Sequence, residues 1–282
     1  MKDSQGQGKL KEKKIAIGYN AEISGLMTSL NLLKSAIPID GVHFFIYRYS
    51  NKTNVEDAGN EINMTIIECP APEEALMNDF NAGKVDGIIR GQLSSSKFLK
   101  HLKSTFNIEK LYRLALLASH DNHAFFFAPV GIDEGRDLEE KIHFILQGKA
   151  LLEKLGVKPK IFILSAGRID DIGRSSEIKK SIEDAITLVE KIKNIYPNLD
   201  IIHGEILIEN AIHQEANFIL APDGISGNLI YRTLLHLGNG HSYGAYYLNE
   251  GFPGPVIDTS RVGPPEEYFG AMILALRLLV QS

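Results

Sequence analysis

The sequence predicts an α/β protein in which a largely parallel sheet carries helices on both faces. Apolar, β-branched runs alternate with amphipathic helical stretches along nearly the whole chain, which is typical of parallel strands joined by crossover helices. One short connection departs from this pattern, because His120-Asp121-Asn122 separates two apolar runs and predicts a β-hairpin. We therefore expect a mixed sheet.

The composition is that of a globular protein. The 282 residues are 44% hydrophobic and 23% charged, which is enough for one large or two medium cores. A net charge of −5 argues against nucleic-acid binding, which needs a concentrated basic face. The single cysteine, Cys69, rules out an intrachain disulfide framework.

No stretch of apolar residues is long enough for a membrane span, so we expect a cytoplasmic protein with no membrane partner. Residues 1–14 are lysine-rich and polar, which predicts a disordered tail. That tail lacks the apolar core of a signal peptide.

The first half of the chain contains six predicted strands, at 14–19, 42–49, 64–68, 85–91, 111–118 and 123–129. A helical pattern through Leu26, Leu30 and Leu33 follows the first strand. A second helix runs from Pro72 to Gly83, with proline and acids in its first turn and glycine after its last. A third helix begins at Lys97.

The second half contains predicted strands at 161–165, 200–206, 217–221, 243–248 and 255–258. Helices are expected at about 137–155, which stops at Gly156, and at 176–195. The stretch 222–228 is interpreted as a small polar turn, with a helix beginning at Leu229. The last helix begins near Pro264 and continues to the end of the chain.

Four loops that follow strands are rich in glycine, hydroxyl groups or arginine: 90–96, 165–175, 222–228 and 258–263. The carboxyl ends of parallel strands form the ligand-binding edge of an open α/β sheet, and we expect the four loops to share that edge. Backbone N–H groups and arginines recognise phosphate. The pattern therefore favours an anionic, phosphorylated ligand.

The alternative is that these loop residues only shape turns and helix ends. Asp223 and Ser226 would then form a turn and cap a helix, Ser94 and Ser175 would act as N-caps, and Arg261 would be solvated.

Signals for other chemistry are weak. Asp170 and Asp171 could bind a divalent cation, but adjacent acids in a loop are usually solvated. The histidines His203, His213, His236 and His241 lack the short spacing of metal ligands, so we expect no metal site. The glycine patterns of dinucleotide folds, P-loops and nucleophile elbows are absent from the sequence.

The four loops resemble one protein family. The segment FILAPDGISGNLIYRTL resembles the strand–PDxxxGN–helix segment of the phosphate acetyl/butyryltransferases, and PVIDTSRVGPPEEYFGAMILAL resembles the segment before their last helix. VDGIIRGQLSSS and GVKPKIFILSAGRIDDIGRSSEI are similar to two upstream loops of that family. The resemblance covers residues 80–280 in the same order. The loop S-x-GR-x-x-D-x-GR is most similar to the branch called methanogenesis marker protein 4, or methyltransferase subunit X (MtxX).

The resemblance implies an isocitrate/isopropylmalate-dehydrogenase-like fold of two interleaved α/β domains with a cleft between them. The first domain would contain 15–124 and 256–282, and the second 125–255. A homodimer through the second domain is also implied, and its YGAYYL region could supply an apolar edge.

The resemblance also assigns site residues. The family's catalytic positions match Ser260, Arg261 and Glu267, the last replacing an aspartate. Arg261 and Arg168 would hold the anion. We expect the remaining loop positions to bind the substrate: Ser165, Gly167, Arg174, Asp223, Gly227, Asn228, Arg90, Ser95 and Ser96.

Two family arginines are replaced, one by His236 and the other near Lys100 or His101. Because those arginines hold anionic groups, the resemblance implies a retained scaffold with a changed substrate. The expected function is a transferase-type protein that binds a phosphorylated small molecule or cofactor, with methyltransferase subunits as further partners. No particular cofactor is assigned. Two alternatives stay open: a non-catalytic regulatory or assembly subunit, and a metal-dependent decarboxylating dehydrogenase of the same fold.

Overall fold

The computed structural model describes residues 12–20, 23–50 and 62–280. Its strands are β1 (Lys13–Gly18), β2 (Val42–Tyr49), β3 (Met64–Cys69), β4 (Gly87–Ile89), β5 (Arg113–Ala118), β6 (Ala124–Ala128), β7 (Lys160–Leu164), β8 (Asp200–Glu205), β9 (Phe218–Leu220), β10 (His241–Tyr247) and β11 (Val256–Asp258). Its helices are α1 (Ile23–Ala36), α2 (Pro72–Asn81), α3 (Ser95–Phe106), α4 (Leu138–Lys154), α5 (Ser176–Ile195), α6 (Ile208–His213), α7 (Gly224–His236) and α8 (Pro265–Val280). Within these ranges, no helix has the length and apolarity needed to cross a membrane.

The described strands form one mixed sheet in the order β3-β2-β1-β4-β11-β10-β5-β6-β9-β7-β8. Neighbours pair in parallel from β3 to β11 and from β6 to β8. The three central pairings, β11 with β10, β10 with β5, and β5 with β6, are antiparallel. The predicted hairpin between β5 and β6 is confirmed.

Helices cover the two faces of the sheet differently. On the first face, α1, α8, α4 and α5 pack over one continuous apolar core. On the second face there are two separate cores, one beneath α2 and α3 and the other beneath α6 and α7. Because strand side chains alternate between faces, Ile89 and Leu114 point to the first core, whereas Ile88 and Ala115 point to the second face.

Helix α8 returns to the first half of the sheet, as the sequence predicts. The Lys13 ammonium donates to the carbonyl of Leu279 (2.9 Å), and the rings of Tyr19 and Tyr268 meet edge-on at 5.5 Å. The helix also packs on β10, where a Cβ at Gly270 would lie 2.4 Å from the Tyr243 side chain. Because β10 lies next to β11 in the continuous sheet, α8 also contacts the segment that the resemblance assigns to the second domain. The domain boundaries at 124/125 and 255/256 stay a prediction.

Most predicted elements lie within two or three residues of their predicted positions. Residues 1–11 of the predicted tail lie outside the described residues, whereas Lys13 and Lys14 already belong to β1. Helix α7 begins at Gly224, not at Leu229 as predicted. The reason is the Asp223 N-cap, whose carboxylate accepts from the backbone N–H of Ser226 (2.8 Å), so the small polar residues form the first helical turn.

Candidate functional site

A cleft of about 230 Å³ opens on the second face of the sheet. Strands β5, β10 and β11 form its floor, α7 lies on one side, and the loop after β11 with the start of α8 lies on another. The residues that line it are Arg90, Arg113, Val130, Asn228, Tyr231, Ala245, Asp258, Thr259, Ser260 and Glu267.

Four sequence-predicted site residues lie together in this cleft: Arg90, Asn228, Ser260 and Glu267. They come from the loops after β4 and β11, from the first turn of α7 and from the first turn of α8. The convergence spans most of the chain, since Arg90 and Asp258 are 168 residues apart yet form an ion pair.

The other predicted residues do not line the cleft. Arg261 is exposed beside Ser260, and Ser95 and Ser96 begin α3. Asp223 and Gly227 belong to the N-terminus of α7. Ser165, Gly167, Arg168 and Arg174 follow β7, at the far side of the sheet.

The order and register of the strands explain this arrangement. β4 and β11 run opposite to β9 and β7, because three antiparallel pairings lie between β11 and β6. The registers nevertheless bring the strand ends to one level, since Asp258 aligns with Phe127 across the central strands and the next residue, Ala128, pairs with Leu220. The carboxyl ends of the two halves of the sheet therefore face each other at the cleft. The loop after β7 stays outside the cleft, because four strands separate β7 from β11.

The Arg90 guanidinium is buried and already occupied. Its Nε donates to the carboxylate of Asp258, and its two terminal nitrogens donate to the carbonyls of Leu93 (2.7 Å) and Thr259. Only 6% of this side chain is exposed. Arg90 thus joins the loops after β4 and β11. Its role is to hold the shape of the cleft, since no nitrogen of its guanidinium is left to bind a ligand.

Glu267 is a buried acid that also lines the cleft. Its carboxylate accepts hydrogen bonds from the Ser260 backbone N–H (2.9 Å) and from the Ser242 hydroxyl (3.4 Å). Burial raises the pKa of Glu267 to about 7, and the negative charge of Asp258 also raises it. The hydrogen bonds from Ser260 and Ser242 lower the pKa, but by less than burial raises it. The group can therefore gain or lose a proton near neutral pH.

Arg113 was not singled out by the sequence, because it lies inside a predicted strand and no loop motif marks it. Its Nε donates to the Glu134 carboxylate (2.7 Å), and the other Glu134 oxygen accepts from the Gly131 N–H (3.1 Å). Burial alone would lower the pKa of Arg113, but the charge of Glu134 contributes to raising it overall. Leu114 points to the first core, so the alternation of a strand places Arg113 on the cleft face.

A carboxylate of the protein itself occupies backbone donors in each of the four predicted loops. Glu73 accepts from the N–H of Ser94 (2.9 Å), and Asp171 accepts from that of Arg168 (2.9 Å). Asp223 and Glu267 do the same at Ser226 and Ser260. These donors are groups that a phosphate at a helix start would use, so an acidic side chain of the protein occupies one such donor in each loop.

The first turn of α7 is packed against the segment after β6. The Asn228 amide donates to the carbonyl of Val130 (2.9 Å), and the Gly224 N–H donates to the carbonyl of Glu134 (3.0 Å). A Cβ at Gly227 would lie 2.0 Å from the carbonyl oxygen of Pro129. Glycine is required here by close backbone contact, which brings Asn228 to the edge of the cleft.

The loop after β7 forms a network of its own. The Ser165 hydroxyl is buried and lies 2.9 Å from His203 Nε2 and 2.8 Å from the carbonyl of Gly167. Arg174 pairs with Asp171 (2.8 Å), and a short 3₁₀ helix spans Ile169–Asp171. Arg168 and Arg174 are exposed.

The remaining candidates lie on the surface. Lys100 and His236, which stand where the family has arginines, are exposed on α3 and at the end of α7. Among the described residues, no group of three or more histidine, cysteine, aspartate or glutamate side chains could hold a metal ion.

Solved structures with a similar fold include two acyl-transfer enzymes. A branched-chain phosphotransacylase from Enterococcus faecalis has a TM-score of 0.68 at 17% identity, over 95% of this chain and 99% of that chain. A phosphotransacetylase from Streptococcus pyogenes has a TM-score of 0.63 at 15% identity, over 96% and 95%. A 4-hydroxythreonine-4-phosphate dehydrogenase from Klebsiella pneumoniae has a TM-score of 0.56 at 11% identity, over 94% and 99%. The chain therefore has the isocitrate-dehydrogenase-like fold that the family resemblance implies.

Sequence relatives are closer. No protein-family profile matches the chain. A protein of Methanosarcina barkeri named "Putative methyltransferase mtx subunit X" is 39% identical over 212 residues, which is 75% of this chain and 76% of that protein. An uncharacterized methyltransferase of Methanocaldococcus jannaschii is 36% identical over 217 residues, 75% of this chain and 85% of that protein. At this identity and coverage, the chain belongs to the methyltransferase mtx subunit X family, whose fold is that of the phosphotransacylases.

Proposed function

We propose that this chain is a transferase-type protein that binds a phosphorylated small molecule or cofactor in the cleft of the second sheet face. The observation that carries the proposal is the convergence of Asn228, Ser260 and Glu267 with two arginines around one cavity. Acidic, hydroxyl, amide and guanidinium groups together are suited to orient a polar, anionic substrate. The phosphotransacylase names of the fold relatives support the same class of ligand.

The chemistry would depend on orientation and electrostatics. Glu267 would act as the acid or base, because burial brings its pKa to about 7. The Ser260 hydroxyl would donate to the reacting group, and Asn228 would bind a second oxygen of the ligand. No covalent nucleophile is needed for this scheme, since positioned hydrogen-bond donors in a partly dry cleft can supply much of the rate enhancement.

Ligand-induced thermal stabilisation tests the proposal. The wild-type protein is heated with inorganic phosphate, acetyl phosphate, coenzyme A and pterin cofactors in separate experiments. A ligand at 100 times its dissociation constant should stabilise the fold by about 2.7 kcal/mol. Ser260→Ala and Asn228→Ala should reduce that gain, whereas Arg277→Gln, at an exposed position of α8, should keep it. Equal stabilisation in all variants would contradict the proposed site.

A second candidate is a non-catalytic subunit that keeps the cleft for assembly or regulation. The internal carboxylates at all four loops favour it, because they occupy donors that a catalytic phosphate site would leave free. The relatives are also named as a subunit. Co-purification of the tagged protein from a methanogen would test this candidate, with a stoichiometric methyltransferase partner as the supporting result and a solitary chain as the contrary one.

A further inference from the structure

Among the cleft's two arginines, only Arg113 keeps free terminal donors. All three nitrogens of the Arg90 guanidinium donate to Asp258, Leu93 and Thr259. Arg113 uses its Nε for Glu134, and its two terminal nitrogens form no hydrogen bond with any residue that the structure describes. The exposed fraction of the side chain is 24% for Arg113 against 6% for Arg90.

We propose that Arg113 is the residue that binds the anionic group of the cleft's ligand, a phosphate or a carboxylate. The inference rests on the proposed function for the location of the ligand. A guanidinium with both terminal nitrogens free can hold two oxygens of one anion, a geometry that a lysine or histidine does not offer. Arg113 would thereby supply the guanidinium that the chain lacks at the family positions held here by His236 and by Lys100 or His101.

The guanidinium is fixed before any ligand arrives. Glu134 accepts from Arg113 Nε and, through its second oxygen, from the Gly131 N–H, so the acid is itself held on both sides. A Cβ at Gly131 would lie 2.2 Å from a terminal nitrogen of Arg113. Glycine at this position therefore leaves the room in which the guanidinium lies, and the pair needs little ordering when an anion binds.

Arg113 also stands between two cavities. Besides the cleft, it lines a neighbouring cavity of about 280 Å³, which is bordered by Lys103, Lys110, Asp133, Arg136 and Glu140. An anion on Arg113 can therefore be reached from either side. A ligand longer than the cleft would place its anionic group at this junction and continue towards the lysines.

Charge balance makes the proposal sharply testable. Glu134 cancels the charge of Arg113, and Asp258 cancels that of Arg90. Replacing Glu134 by glutamine therefore leaves an uncompensated positive charge in the cleft, which should strengthen anion binding. Replacing Arg113 by glutamine should weaken it. If the pair of Arg113 and Glu134 served only stability, the two substitutions would not change anion binding in opposite directions, because each of them breaks the same salt bridge.

The experiment measures the dissociation constants of inorganic phosphate and of acetate by titration calorimetry, in a buffer free of other multivalent anions. Arg113→Gln should bind ten- to a hundredfold more weakly than wild type, since a charge-assisted pair is lost. Glu134→Gln should bind at least twofold more tightly, and Gly131→Ala should weaken binding without removing any charge. Arg277→Gln is the matched control for the loss of an exposed arginine.

The outcomes separate the two proposals. Phosphate binding that Arg113→Gln leaves unchanged would overturn the role of Arg113 while the proposed function stands. Acetate binding that depends on Arg113, with no phosphate binding, would support Arg113 and overturn the phosphorylated ligand. Absence of binding for both anions would overturn both. If Arg113→Gln does not fold, weaker binding by Glu134→Gln would by itself contradict the proposal.

Discussion

The Glu267 carboxylate accepts a hydrogen bond from the backbone N–H of Ser260 at 2.9 Å, so an internal acid lies where the family resemblance places the reaction centre. Both residues line the cleft, and 2% of Glu267 is exposed. An ionised acid in this position costs free energy that a protonated acid does not. Its protonation therefore links pH, stability and the charge of the cleft.

The first prediction concerns Glu267→Gln and pH. The folded state holds this proton up to about pH 7, whereas the unfolded state releases it near 4.5, so wild-type stability falls as pH rises between these values. The total loss is roughly 3 kcal/mol. Glutamine cannot ionise, so the melting temperature of the variant should be several degrees above that of wild type at pH 8. At pH 5 the two melting temperatures should be about the same. Thermal melts at both pH values measure this, and a difference that is equal at pH 5 and pH 8 would contradict it.

The second prediction concerns the buried pair of Arg90 and Asp258. Removing one partner leaves a buried charge without compensation, which typically costs 3–5 kcal/mol. Asp258→Asn should therefore lower the urea midpoint strongly with an unchanged slope. The exposed pair Lys179–Glu183 provides the control, since Lys179→Gln should change stability by less than about 1 kcal/mol. Equal, small effects of both substitutions would argue against a structural role for Arg90.

The third prediction concerns the close contact at the start of α7. An alanine at Gly227 would place its Cβ 2.0 Å from the carbonyl oxygen of Pro129, which is backbone and cannot turn away. We expect Gly227→Ala to destabilise by about 1–3 kcal/mol through overpacking. Gly173→Ala is the matched control, because no atom lies within 4 Å of its Cβ position. Chemical denaturation compares the two, and a neutral Gly227→Ala would show that α7 can shift away from the segment after β6.

The fourth prediction concerns acyl transfer. His236 lies two turns beyond Asn228 on α7, about 12 Å along the helix axis, and it is exposed. Lys100 is exposed on α3, and neither residue lines the cleft. Without arginines at these positions in a binding cleft, coenzyme A loses charge-assisted bonds worth about 1.5–3 kcal/mol each. Acetyl coenzyme A and phosphate should therefore give negligible acetyl phosphate, and robust turnover in a coupled assay would restore the ordinary acetyltransferase interpretation.

The strands and helices could be predicted because local patterns determine them. Apolar runs identified β2 and β9, and the proline, acids and glycine around α2 marked both of its ends. The start of α7 was missed because Gly224, Ser226 and Gly227 are poor helix formers by themselves. Tertiary contacts and the Asp223 cap outweigh that propensity.

Three of the four sequence motifs supply predicted residues that lie together in the cleft: Arg90, Asn228, and the pair Ser260 and Glu267. The loop with Arg168 and Arg174 follows β7, which four strands separate from β11, so this loop does not line the cleft. The order of strands in a sheet cannot be inferred from any single motif. Arg113 was missed for a related reason, since only the fold shows that a strand residue faces the cleft.

The most direct measurement is a crystal structure of the wild-type protein with inorganic phosphate at a few times its measured dissociation constant, grown without sulfate. We predict phosphate in the cleft, with oxygens within hydrogen-bond distance of the terminal nitrogens of Arg113 and of the Ser260 or Asn228 side chain. Phosphate bound instead at Arg168 and Arg174 in the loop after β7, with an empty cleft, would contradict this prediction.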